Sequence, residues 1–266
     1  TRCHGRNPLP GLALDCRGSV PEAAAYAASL SAWQQRLVEL ADVILVPSRF
    51  ARERLAELGA PLPWERVRVL APVLRPARPT PAPAAEEGLP GRYALVVSRL
   101  APEKGIDVAI AACRRAQIAL VVAGEGPERG RLQALAAAAD VRLLGEVDDE
   151  RLARLRAGAA IALAPSRSAE SFGLAVAESM AAGVPVLASR VGALPEILEP
   201  QELVPPGDER ALAAAIARRA GDRGAGERGR ERIAAVCGPD VVARRLRDAY
   251  GQARERAAER TVARTS

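Results

Sequence analysis

Short apolar runs alternate with helical patterns along most of the chain, and this alternation constrains the fold more than any other feature. Five such runs lie at residues 93–98, 118–124, 141–145, 159–165 and 184–189. Continuous apolar strands alternating with helices are typical of a parallel sheet covered on both faces. We therefore predict a doubly wound, Rossmann-like α/β domain over residues 92–238.

The sequence outside this domain predicts three further parts. Residues 39–47 and 66–72 each predict a strand, with a helix between them. Two strands and two helices are too few to close a core, so we interpret residues 1–74 as the remnant of a preceding Rossmann-like domain. The proline-rich residues 75–91 predict a stiff linker, and residues 239–266 predict a C-terminal helix and tail.

The composition indicates a globular protein without a membrane span. Hydrophobic residues make up 49% of the 266 residues, no run reaches the ~18 apolar residues that span a bilayer, and no secretory signal is present. We therefore expect a cytoplasmic location. Because the chain begins at Thr1 and its only methionine is Met180, we expect it to be part of a longer protein. The four cysteines lack metal-ligand spacing and are interpreted as reduced thiols, with a Cys3–Cys16 pairing as the alternative.

The positive charge of the chain does not predict a nucleic-acid partner. The formal net charge is +6, but arginines are interleaved with acids, and only two Trp, three Tyr and two Phe are available for base stacking. The one concentrated basic run covers residues 242–260. We interpret it first as a solvated helix face and second as a surface with a weak attraction to an acidic membrane, which would place the protein peripherally at the inner membrane face.

Polar or glycine-rich segments follow four of the predicted strands. Arg99 and Lys104 follow the first strand, and the other three segments lie at residues 124–126, 145–149 and 170–173. Doubly wound sheets bind ligands beyond the carboxyl ends of their strands, at the switch point in strand order. Lys104 is the only lysine among 38 Lys and Arg residues. A need for its compact point charge and chance retention explain this fact equally well.

The segment AESFGLAVAESMAAG, residues 169–183, predicts a helix that begins near residue 173. Ser171 is a candidate N-cap for this helix, and Gly173 and Leu174 bring backbone N–H groups to its first turn. A helix N-terminus favours an anion through its free N–H groups and its dipole. The segment therefore predicts a phosphate position.

Two glutamates flank this helix start. Glu170 lies in the preceding loop, and Glu178 lies inside the helix, about 7.5 Å along the axis from Gly173. That length matches a diphosphate with a sugar on each side, and a carboxylate accepts hydrogen bonds from two neighbouring hydroxyls. The alternative is a dipole-favoured acid together with an ordinary exposed helix glutamate.

Glu170 and Glu178 form a Glu-x7-Glu pair inside ESFGLAVAESMAAGVPV, and four further motifs accompany it: SRLAPEKGID, VVAGEGPERGRL, LLGEVDDERL and VGALPEIL. Together these motifs resemble the nucleotide-binding half of GT-B glycosyltransferases of the retaining family GT4, from about residue 42 to residue 208. The resemblance implies a GT-B fold and transfer of a sugar, with retention, from GDP-mannose or a UDP-sugar to an unknown glycan, lipid or small-molecule acceptor.

The resemblance also implies roles for individual residues. Arg99 and Lys104 would contact the donor diphosphate and stabilise charge on the leaving phosphate, and Glu170 would touch the transferred sugar, which makes these three the catalytic candidates. Glu178 would hold the ribose hydroxyls. The remaining substrate-binding candidates are Gly173, Leu174 and Ala175, whose backbone groups would meet the phosphates, the neighbouring Ser171 and Phe172, and Val147 and Asp149 near the base.

An Asp149–guanine contact would favour GDP, whereas a dipole-favoured acid at a helix start is the alternative interpretation. The same dipole explains the only acidic cluster, Asp148 to Glu150, so we expect neither a metal ion nor any other cofactor.

Some features depart from the family pattern. Most of the N-terminal, acceptor-side domain is missing, and we assign no role to His4, the only histidine. We therefore expect the chain to bind donor and to transfer sugar weakly or not at all, and a non-catalytic sugar-nucleotide-binding module remains the alternative. A dehydrogenase is disfavoured because GEGPERG departs from the dinucleotide fingerprint, and a phosphorylase because no lysine follows Lys104.

Overall fold

The computed structural model describes residues 19–74, 88–137 and 139–265. Residues 75–87 of the predicted linker, His4 and the Cys3–Cys16 pair lie outside these ranges. The chain forms two compact units: one contains the described residues up to Ala71 together with those from Ala243 onward, and the other contains the described residues from Pro72 to Val242.

The first unit begins with helix α1 (Val20–Leu40), strand β1 (Ile44–Val46), helix α2 (Arg49–Glu57) and strand β2 (Val67–Val69). The two strands pair in parallel, as a strand–helix–strand unit requires. Ser48 caps α2 by accepting a hydrogen bond from the backbone N–H of Ala51 at 2.9 Å. The two strands predicted before the linker are thus confirmed.

The second unit contains six strands and six α-helices among its described residues. In chain order they are β3 (Tyr93–Val97), α3 (Ile106–Arg115), β4 (Ala119–Ala123), α4 (Arg129–Ala136), β5 (Val141–Gly145), α5 (Asp149–Gly158), β6 (Ile161–Ala164), α6 (Leu174–Ala181), β7 (Val186–Ser189), β8 (Leu203–Val204), α7 (Glu209–Arg219) and α8 (Arg223–Cys237). The predicted alternation and α/β class are confirmed, whereas β8, α7 and α8 were not predicted.

The six strands form one parallel sheet in the order β5-β4-β3-β6-β7-β8. Strands β4 and β5 extend the sheet to one side of β3, and the chain then returns to place β6 on the other side. The switch point therefore lies between β3 and β6, and a crevice is expected beyond their carboxyl ends.

Both faces of the sheet are buried, so the side chains of successive strand residues pack into different hydrophobic clusters. Leu120 and Ile161 pack with helices α3 and α7 on one face, whereas Leu95 and Val121 pack with Leu155 of α5 on the other. All five side chains are almost fully buried. Burial of each such side chain stabilises the fold by about 1.5–3 kcal/mol, so the sheet is a rigid support for the loops at its edge.

Helix α9 (Pro239–Thr265) follows α8 and confirms the predicted C-terminal helix. From Ala243 onward it belongs to the first unit, where Arg260 forms an ion pair with Asp42. The hydrogen bond from Arg260 holds the pKa of Asp42 below its ordinary value. None of the helices in the described ranges combines the length and the apolar character needed to cross a bilayer.

Candidate functional site

The loops after β3 and β6 meet at the switch point of the sheet. The first loop contains a short 3-10 turn, Pro102–Lys104, and ends at Gly105, which has a φ of 63°. A Cβ atom at Gly105 would overlap the carbonyl oxygen of Pro165 in the second loop. Because only glycine permits this approach, the two backbones are packed directly against each other.

Lys104 and Glu170 are brought into contact by these two loops. The Lys104 ammonium donates a hydrogen bond to Glu170 Oε1 at 2.6 Å, and the Ser166 hydroxyl donates to the same oxygen at 2.8 Å. Ser166 is buried, while the Lys104 and Glu170 side chains are 27% and 23% exposed. Since an ammonium has three donors, Lys104 keeps capacity for further acceptors.

A third loop, after β7, fixes the backbone of Glu170. The backbone N–H of Ala193 donates to the Glu170 carbonyl oxygen at 2.8 Å. At the adjacent Gly192, with a φ of 58°, a Cβ atom would overlap the Glu170 backbone. Glu170 is therefore held at both its main chain and its carboxylate.

Arg167 joins the loops after β3 and β6. Its backbone N–H donates to the Glu103 carbonyl oxygen at 2.8 Å, and its guanidinium makes two hydrogen bonds to Asp107, at 2.7 and 2.9 Å. Arg131 makes a further hydrogen bond to Asp107, at 3.2 Å. Burial raises the pKa of Asp107, but the hydrogen bonds from Arg167 and Arg131 outweigh it and hold the pKa below its ordinary value. The Asp107 carboxylate is therefore charged at neutral pH and pairs with both arginines.

Arg99 lies in the same loop as Lys104 but is more exposed. Its side chain is 64% exposed and forms an ion pair with Glu103, which lies four residues further along the loop. The structure thus places Arg99 near the crevice without joining it to the Lys104–Glu170 contact.

The helix start predicted at residue 173 is confirmed, but its predicted cap is wrong. Helix α6 begins at Leu174, and its N-cap is Gly173, with a φ of 92° and no side-chain cap hydrogen bond. Ser171 is not the cap because the left-handed turn at Gly173 starts the helix two residues later. The side chain of Phe172 is buried, whereas Leu174 is 50% exposed and Ala175 is partly buried. The N–H groups of the first turn have no intrahelical acceptors, as an anion site requires.

Glu178, on the second turn of α6, forms an ion pair with Arg156 of α5. The side chain of Glu178 is 44% exposed, whereas that of Arg156 is only 13% exposed. Arg156 was not among the residues singled out from the sequence, because one arginine in the arginine-rich stretch DERLARLRAG carries no distinguishing signal.

Val147 and Asp149 lie in the loop after β5 and at the start of α5. Val147 is partly buried against the cluster that contains Leu155, and Asp149 is exposed in the first turn of the helix. Asp148 is the N-cap and accepts a hydrogen bond from the Arg151 backbone N–H at 2.7 Å. No group of three or more His, Cys, Asp or Glu residues in the described ranges is arranged to hold a metal ion.

Known proteins share both the sequence pattern and the fold. Residues 84–233 match the family described as glycosyl transferases group 1. A phosphatidyl-myo-inositol mannosyltransferase from Mycobacterium leprae is 37% identical over 124 residues, which cover 43% of this chain and 33% of that protein. A D-inositol 3-phosphate glycosyltransferase from Acidothermus cellulolyticus is 33% identical over 217 residues, which cover 69% of this chain and 48% of that protein.

A solved structure with the same fold is sucrose-phosphate synthase from Thermosynechococcus elongatus. It superposes with a TM-score of 0.68 at 30% identity, over 82% of this chain and 60% of that one. The chain spans about half the length, or less, of the two curated relatives named above. On the match over residues 84–233 and the shared architecture, the chain belongs to the glycosyl transferases group 1 family and has a GT-B-type α/β fold.

Proposed function

We propose that this chain is the donor-binding part of a retaining, GT4-type glycosyltransferase that uses a nucleoside-diphosphate sugar. The observation that carries the proposal is the 2.6 Å contact between Lys104 and Glu170 beyond the carboxyl ends of β3 and β6. This is where doubly wound sheets bind ligands. The two residues lie 66 positions apart in the sequence and belong to two different motifs of the family pattern.

In this proposal the two cations act on the diphosphate. Cleavage of the bond between sugar and diphosphate leaves negative charge on the leaving phosphate. Lys104, held in place by Glu170, and the more exposed Arg99 stabilise that charge, together with the N–H groups at the start of α6. Glu170 contacts the transferred sugar through the carboxylate oxygen that Lys104 and Ser166 leave available.

Glu178 binds the ribose hydroxyls, and the base lies near Val147 and Asp149. The first turn of α6 separates Glu170 from Glu178, so the phosphates would lie at Gly173, Leu174 and Ala175. Two interpretations of Asp149 are retained, a guanine contact and a helix-start acid, because its position in the first turn of α5 suits either one.

The donor is GDP-mannose or a UDP-sugar, and the acceptor is a glycan, a lipid or a small molecule. A mannosyltransferase among the relatives supports a mannosyl donor. We propose that neither a metal ion nor another cofactor takes part. We also propose that the enzyme is cytoplasmic and that the basic part of α9 is a solvated helix face, with weak association with the inner membrane face as the alternative. Co-sedimentation with anionic and neutral vesicles would distinguish the two.

Titration calorimetry tests the donor site. GDP, UDP and ADP, and then GDP-mannose, UDP-glucose and UDP-N-acetylglucosamine, are titrated into the wild-type chain and into Lys104→Ala. One nucleotide series should bind, and Lys104→Ala should weaken it by roughly ten- to a hundredfold, since charge-assisted hydrogen bonds are worth about 1.5–3 kcal/mol. Arg114→Ala, an exposed change at the end of α3, is the matched control. Absence of binding by the folded wild-type chain would refute the proposal.

A non-catalytic sugar-nucleotide-binding module is the second candidate. It is favoured because the residues that would bind the donor, such as the Lys104–Glu170 pair, are the same ones that transfer of its sugar would use. Donor binding without donor hydrolysis or sugar transfer would support it over the enzyme.

A further inference from the structure

We propose that Arg156 is a positioning residue for the nucleotide: it holds the Glu178 carboxylate in place to receive the ribose of the donor. This inference rests on the proposed function, because it assigns a partner to the residue proposed to bind ribose. It adds a residue from a different helix, α5, which the sequence motifs do not include.

The first argument is the burial of Arg156. Its side chain is 13% exposed, and its Nε atom is buried without a hydrogen-bond partner among the residues that the structure describes. A guanidinium removed from water needs a counter-charge, and the Nη2 atom obtains one from Glu178 Oε2. Arg156 is therefore fixed by its surroundings, and Glu178 is oriented by it.

The second argument is the exposure of Glu178. Its side chain is 44% exposed, so the ion pair does not enclose the carboxylate. A carboxylate has two oxygens and about four acceptor positions, and the hydrogen bond from Arg156 uses one of them at Oε2. Acceptor capacity remains for two neighbouring hydroxyls of a ribose.

The third argument concerns the free energy of binding. A glutamate on an exposed helix face samples several rotamers, and fixing one on ligand binding costs about 0.5–1.5 kcal/mol. A buried arginine that already fixes the rotamer removes most of this cost. Loss of Arg156 should therefore weaken nucleotide binding by roughly three- to tenfold.

The arrangement also affects how Glu178 variants must be interpreted. Removal of the Glu178 carboxylate leaves the Arg156 guanidinium buried and without its counter-charge, which is destabilising. A loss of binding in Glu178→Ala would then combine a folding defect with a lost contact. Glu178→Gln also removes the counter-charge, but it keeps an acceptor oxygen for Arg156 and is therefore the milder variant.

The experiment compares ribose and deoxyribose ligands on Arg156 variants. Wild type, Arg156→Met, Arg156→Lys and the control Arg154→Met, an exposed change on the same helix, are titrated with the nucleoside diphosphate that binds wild type. Each is then titrated with its 2′-deoxy and 3′-deoxy analogues. Thermal melts verify that each variant is folded, and Arg156→Lys replaces Arg156→Met if the latter does not fold.

We expect Arg156→Met to lose roughly three- to tenfold in affinity for the ribose nucleotide and much less for a deoxy analogue, with partial rescue in Arg156→Lys. An equal loss for ribose and deoxyribose ligands, or wild-type affinity in Arg156→Met, would refute the role of Arg156 but leave the proposed function standing. Failure of the wild-type chain to bind any nucleoside diphosphate would instead overturn the proposed function.

Discussion

The contact between Lys104 and Glu170 predicts that Glu170→Gln changes the affinities for two kinds of ligand in opposite directions. In the structure the carboxylate lies 2.6 Å from the ammonium and offsets part of its charge. A diphosphate that approaches Lys104 is therefore also repelled by Glu170. Gln keeps the size of the side chain and an acceptor for Ser166, but it removes the charge. Nucleoside diphosphates should bind more tightly, whereas the sugar of a donor loses its carboxylate contact.

The size of the effect follows from the geometry. A phosphate oxygen on the far side of the ammonium, at about 2.8 Å from it, lies on the order of 5 Å from the carboxylate. Two unit charges at ~5 Å repel by about 0.8 kcal/mol in water and about 3 kcal/mol at an effective dielectric of ~20. Both side chains are about a quarter exposed, at 27% and 23%. Because salt screens exposed charges, we expect a gain of about 1 kcal/mol, or roughly fivefold.

The assay is calorimetric titration of wild type and Glu170→Gln with the nucleoside diphosphate and with the matching sugar nucleotide, at low and high salt. Glu231→Gln, an exposed change on α8, is the control for a lost negative charge. The ratio of the two affinities should shift against the sugar nucleotide, and the gain for the diphosphate should shrink at high salt. Equal weakening of both ligands would show that Glu170 has only a structural role, and unchanged affinities would show that no ligand reaches the pair.

Three further changes test contacts that stabilise the fold. Gly105→Ala should destabilise the fold by about 2–4 kcal/mol, because it forces a left-handed φ and a backbone overlap, as measured by urea unfolding. Arg232→Met should cost about 3–5 kcal/mol in the same assay, because it removes the counter-charge of the buried Glu202 carboxylate, which keeps the hydrogen bond from the Glu199 backbone N–H. Asp107→Asn should be less stable than wild type at neutral pH, and the difference should disappear in acid. The pKa of Asp107 is lowered in the folded protein, so its stabilisation is present above about pH 4 and is lost as the pH falls through the folded value.

Each of these predictions has its own opposing result. An unfolding free energy of Gly105→Ala within about 0.5 kcal/mol of wild type would contradict the close approach of the two loops. For Arg232, the double variant Arg232→Met with Glu202→Gln should recover part of the loss, and no recovery would contradict the buried ion pair. For Asp107, a stability difference that stays constant from pH 7 to pH 3 would show that charge is not the cause.

The order of strands and helices was predictable because each element has its own local pattern. Residues 141–145 predicted β5 at its observed bounds, since four apolar or small residues, interrupted only by Arg142, lie between polar turns. Strand β8, Leu203–Val204, was missed because two residues carry no periodicity, and it is recognisable only by its pairing with β7. Strand order could not be predicted from local sequence patterns, because it depends on where each connection places the next strand in the sheet.

The site was predictable residue by residue but not contact by contact. Lys104 and Glu170 each lay in a recognisable motif, yet their pairing depends on β3 and β6 being neighbours, which local sequence does not encode. Serine favours the N-cap position, which predicts Ser171 as the cap, but the conformational freedom of Gly173 decides where the helix starts. Arg156 was missed because its importance comes from burial beside α6, and no pattern in α5 indicates it.

The presence of a single lysine in the chain has a practical consequence for chemical labelling. Arginine side chains do not react with amine-selective acylating reagents, so apart from the terminal amine the chain offers one target, Lys104. A fluorophore or a biotin attached through such a reagent would therefore report on the crevice between β3 and β6 without any engineered cysteine. For the same reason, immobilising the protein through its amines on a sensor surface would block the position at which the donor is proposed to bind.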